Sequence, residues 1–131
     1  SKAAPLMRGV NAKNRNYLCR LKMNNFPEKD WKRLRSIQKD KLALVCGRIL
    51  DETEKISHER EGGEHQAFLN LWTTINQGNS QVAELFDDIR RSTALQKLIA
   101  WKRHGLLSDE ELALFTEETQ AVLRRVEDWL R

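Results

Sequence analysis

The sequence predicts an all-α fold, a compact bundle of about six or seven helices behind a basic N-terminal arm. Three observations carry that reading. Two prolines and six glycines in 131 residues leave little punctuation for many short strands. From Phe26 onward, apolar residues recur at intervals of three and four. Between the periodic stretches lie glycine stops and Ser/Thr caps, which belong to helix ends.

The first helix is expected near 28–38. Pro27 suits a helix start, Glu28 and Asp30 favour the positive helix terminus, and Trp31, Leu34 and Ile37 form its stripe. A second is expected near 39–60, on Leu42, Val45, Ile49 and Ile56, with a kink between the two and Gly62-Gly63 as its stop. Phe68, Leu71, Trp72 and Ile75 define a third, which Gly78-Asn79-Ser80 ends; Ser80 then caps a fourth through Val82, Leu85, Phe86 and Ile89. Ser92-Thr93 opens a fifth, through Leu95, Leu98 and Ile99, closed by Gly105 as a left-handed cap. Ser108-Asp109-Glu110-Glu111 matches the S-x-x-E capping box, with Leu112 and Phe115 behind it. Thr116 caps the last helix, whose face is Val122, Leu123, Val126, Trp129 and Leu130. Trp31, Trp72 and Trp101 are expected in the core. Trp129, near the C-terminus, is the candidate interface anchor.

Charge divides the chain in two. Residues 1–25 carry Lys2, Arg8, Lys13, Arg15, Arg20 and Lys22 and no acid, whereas residues 26–131 hold 17 basic residues against 19 acids, a net of −2. The isoelectric point near 9.3 therefore belongs to the arm, and does not mark the body as a nucleic-acid binder. The arm is either a weakly structured natural segment that can raise affinity for polyanions, or leader or tag sequence ahead of a start at Met23. The chain opening on Ser1 fits a trimmed or tagged terminus. In the body, Arg90-Arg91 and Lys102-Arg103 are candidate contacts for a partner, but acids sit close to both pairs, as on a solvated salt-bridged face.

Several chemistries lack their residues. The positions three before His58, His65 and His104 are Lys55, Gly62 and Trp101, so neither Glu-x-x-His unit of a di-iron bundle exists. His58-Glu59 begins like a zincin, but the second histidine would fall on Gly62. Neither Cys19 nor Cys46 has a metal-spaced companion, and two reduced thiols in a cytoplasm are the expected state. Nothing resembles a G-x-S-x-G elbow or a glycine-rich phosphate loop. No catalytic residue, cofactor or metal is assigned. No apolar run approaches the length of a membrane span.

The segment Leu95-Gln96-Lys97-Leu98 through Gly105-Leu106-Leu107-Ser108-Asp109-Glu110-Glu111-Leu112 is helix, glycine stop, apolar pair and capped helix. Over residues 95–115 it resembles SHOCT, a short helical module of bacterial protein C-termini associated with oligomerisation. Leu112 stands where that module has Phe or Tyr, and its basic tail is absent. Glycine-stop and capping chemistry also accounts for much of the pattern. More broadly, the opening from Phe26 to Trp31 and the helix start from Arg90 to Leu95 resemble those of a group of small bacterial helical proteins, which brings no activity with it. The expected function is a non-enzymatic protein–protein interaction or regulatory module, with another protein or a second copy of the chain as its partner. The alternatives are a nucleic-acid-associated factor using the arm, and an enzyme whose site is assembled between helices.

Overall fold

The computed structural model describes residues 26–129. Five helices follow in order: α1 (Glu28–His58), α2 (Glu64–Phe86), α3 (Ala94–Arg103), α4 (Asp109–Leu112) and α5 (Glu117–Trp129). No strand occurs among the described residues. The six cations of the arm and Cys19 lie outside them; Cys46 is half-buried and carries a free thiol.

The all-α class holds, but among the described residues five helices stand where seven were expected, because two expected joints do not exist. The kink near residue 38 is absent, and α1 runs 31 residues without interruption. Its buried residues are Asp30, Leu34, Lys41 and Val45. The apparent gap in the apolar stripe at 38–41 is filled by Lys41, whose ammonium meets both carboxylate oxygens of Glu111 at 2.8 and 2.6 Å. Gly78-Asn79-Ser80 does not end a helix either. Gly78 is buried mid-helix, where a Cβ would lie 2.8 Å from Ile49 Cδ1, so glycine here permits close approach of α1 and α2. Ser80 is no cap; its hydroxyl donates back to the Asn76 carbonyl at 3.3 Å.

α1 and α2 form an antiparallel hairpin around a turn in which Gly62 takes φ +78°. The core sits at the open end of that hairpin, where Phe26, Leu34, Val45 and Leu85 meet α3 and α5 through Leu95, Leu98, Trp101, Leu123 and Val126. Beyond Ile49 and Gly78 the hairpin carries no buried residue. Its far half is a two-helix projection.

Side chains of other elements close the helix ends. Lys97 Nζ and Trp101 Nε1 donate to the carbonyls of Glu84 and Leu85, at 2.8 and 2.9 Å, in the last turn of α2. α3 ends in a Schellman motif: Gly105 (φ +68°) donates to the Lys102 carbonyl, and Leu106 to the Trp101 carbonyl. Arg48 of α1 then caps the carbonyls of His104 and Gly105 at 2.9 and 3.1 Å. The Ser108–Glu111 capping box forms as expected. Asp30, fully buried in α1, accepts from Thr116 N at 2.9 Å, Thr116 Oγ1 at 2.6 Å and Thr119 Oγ1 at 2.5 Å. A carboxylate thus sits at the positive end of α5.

Candidate interaction surface

The far half of the hairpin leaves its largest apolar side chains in solvent. Trp72 is 63% exposed, Phe68 62%, Ile75 50% and, on α1, Leu50 65%. The expectation that Trp72 belongs to the core is overturned, while Trp101 is fully buried and Trp31 packs half-buried on the core. The cause is geometric. Leu71, Thr74 and Gly78 face α1 and use up the seam, and Trp72 is turned about 100° from Leu71, outside it. Phe68 and Ile75 lie seven residues apart, on the same side as Trp72.

This side of the hairpin faces away from the C-terminal helices. Those helices meet α1 and α2 at Arg48, which bonds the His104 carbonyl, and at Gln81, whose amide meets His104 Nδ1 at 3.1 Å. Trp72 is nine residues from Gln81, so it stands about 180° around α2; Leu50 is about 200° around α1 from Arg48. In an antiparallel pair in contact at Ile49 and Gly78, Leu50 therefore shares the side of Phe68, Trp72 and Ile75.

The polar residues of this stretch are unusual for the chain. From Gln66 to Ala83, 18 consecutive residues carry no formal charge, in a sequence that is 32% charged. Asn, Gln, Thr and Ser take the outer positions, and part of their hydrogen bonding is local: Gln66 Nε2 donates to Asn70 Oδ1, and Asn76 Nδ2 to the Trp72 carbonyl, both at 2.8 Å. An exposed helix normally sets charges opposite its buried face. Aromatic enrichment with charge depletion is instead the composition of an interface core. The uncharged run was the signal available in the sequence.

The residues singled out earlier are placed elsewhere. Arg90 pairs with Asp88 at 2.9 Å, and Arg91 Nε donates to the Phe26 carbonyl at 2.7 Å. Lys102 forms a short ion pair with Glu127, which ties α3 to α5, and Arg103 is exposed beside it. The two basic pairs sit at opposite ends of α3, about 15 Å apart. Trp129 closes α5 at 37% exposure, on an element separate from the hairpin face. His58 and His65 are exposed on either side of the hairpin turn.

A cleft of about 670 Å³ lies on the other side of the hairpin, lined by Arg48, Glu52, Gln81, Glu84 and His104 among others. Two of its polar groups, Arg48 and Gln81, are already engaged with the end of α3. Among the described residues, no three His, Cys, Asp or Glu side chains are grouped to hold a metal ion. No described helix is long and apolar enough to cross a membrane. Glu111 has its carboxyl held below the usual range, first by the hydrogen bond from Lys41 and then by the Ser108 backbone N–H.

No family model matches the chain, and neither a curated protein nor a solved structure does.

Proposed function

We propose that this chain is a non-enzymatic protein–protein interaction module, and that it presents the exposed apolar side of the hairpin to another polypeptide. The observation that carries the reading is the exposure of Phe68, Trp72 and Ile75 within a charge-free stretch of α2, with Leu50 of α1 on the same side of the projecting hairpin. Phe68 and Trp72 leave about 250 Å² of aromatic surface bare, given the 150–250 Å² such side chains carry. With Leu50 and Ile75 the patch reaches roughly 450 Å², the size at which exposed apolar surface on a monomer is commonly functional. Exposed tryptophans are frequent anchors of such contacts. The likeness of residues 95–115 to an oligomerisation module points the same way, and a cytoplasmic setting suits the free thiol.

Affinity capture from a nuclease-treated lysate of the source cell, with the wild-type chain and Trp72→Glu side by side, tests this. A polypeptide retained stoichiometrically by the wild type and lost by the variant is expected. Identical recoveries from both, or capture that vanishes with nuclease, would overturn it.

A further inference from the structure

We infer that the polypeptide received by this face is a second copy of the same chain, the two hairpins packing face to face about a two-fold axis as a four-helix bundle. The inference rests on the interaction reading above and names its partner.

Charge is the first argument. An isologous contact places each side chain against its own kind or its near neighbour, so any charge near the axis meets a like charge. Residues 66–83 bring none. An acidic or basic partner would find nothing to pair with over this stretch of α2, whereas the same uncharged stretch of a second copy is its complement. Residues 26–131 net only −2, so the bodies repel one another weakly.

Size is the second. At 1.5 Å per residue the uncharged run is about 27 Å long, and two helices side by side make the face about 20 Å wide. That is about 540 Å² in projection and more with side-chain relief, close to the ~800 Å² per partner of a stable dimer. The apolar patch would be its centre, and the Asn, Gln and Thr side chains of α2 its rim, with Glu54 of α1, one turn from Leu50, at the outer edge.

The spacing is the third. With the axis near Trp72 and the two α2 helices antiparallel, Phe68 of each copy falls opposite Ile75 of the other, large against medium, with the tryptophans between them. The interdigitation matches the 3–4 ridges of a left-handed bundle.

Sedimentation velocity of the full chain up to about 100 μM, well above micromolar dissociation constants, reads this directly. The wild type is expected at twice its 15.3 kDa mass, and Trp72→Glu at the mass of one chain with its helical circular-dichroism signal retained. Gln81→Ala, on the opposite side of α2, should stay dimeric. A wild type that remains monomeric overturns the inference, as does a Trp72→Glu chain that still dimerises. If the monomer also protects Trp72 from oxidative labelling, the face is covered by the chain's own N-terminal segment. A monomer that captures a different polypeptide through Trp72 leaves the interaction reading standing and removes only the self-partner.

Discussion

Alanine at Gly78 sets helix propensity against steric fit, and the structure decides which wins. Gly78 and Gly47 both lie inside long helices, and each should gain about 1 kcal/mol on becoming alanine from propensity alone. At Gly47 the new Cβ meets nothing within 4 Å. At Gly78 it lies 2.8 Å from Ile49 Cδ1, 3.0 Å from Cγ2 and 3.1 Å from Cγ1. Ile49 is β-branched, so its χ1 is restricted in a helix and the branch cannot swing both γ-carbons away. Overpacking of this kind costs about 1–3 kcal/mol. Gly47→Ala should therefore stabilise by about 1 kcal/mol, and Gly78→Ala should destabilise by about 1 kcal/mol. Urea titrations measure both, with thermal midpoints moving in opposite directions by about 3–5 °C. Introduced into an Ile49→Ala chain, Gly78→Ala should turn neutral or stabilising, a coupling of about 1–2 kcal/mol. Equal stabilisation by the two alanines in the wild-type background would refute close packing of the hairpin at this point.

Asp30→Ala should cost about 2–4 kcal/mol, because Thr116 and Thr119 are left with donors facing a buried, empty acceptor site; denaturant unfolding reads it. Asp30→Asn should recover only part of that loss, since an amide offers one acceptor oxygen to the same donors. The folded-state pKa of Glu111 lies below its unfolded value near 4.5. The stability it adds is thus fully present above that value and is lost as pH falls through the folded one. Between pH 7 and 3 the wild type should lose stability more steeply than Glu111→Gln, as thermal midpoints followed down the pH scale will show. Trp101→Phe removes the donor to the buried Leu85 carbonyl and some core volume, and should cost about 1–3 kcal/mol in the same unfolding assay.

What the sequence made legible is what is local. The Gly105 stop and the Ser108–Glu111 box are written within a few adjacent residues, and both form as their chemistry dictates. Gly78-Asn79-Ser80 has the same local chemistry, yet the helix passes through it, because the deciding contact is with Ile49, twenty-nine positions earlier. Lys41 and Asp30 read as surface charges. Each is buried because its partner comes from 70 or more residues away, and no local pattern announces that. Trp72 was misplaced for a different reason. A stripe at helical spacing identifies an apolar side but not what covers it, and the seam with α1 is narrower than the stripe. The absence of charge from Gln66 to Ala83 was the sign that this helix is not simply solvated.

The accessibility of Trp72 itself tests the central claim most directly. Hydroxyl-radical labelling of the full chain, quantified at Trp72 across a dilution series from about 100 μM to 0.1 μM and again with cell lysate added, measures burial by a second copy and by any other polypeptide. Labelling at Trp72 is expected to rise several-fold on dilution while that of buried Trp101 stays low. Trp72 labelled to the same high extent at every concentration, and equally in the presence of cell lysate, would contradict the assignment of this face as an interface.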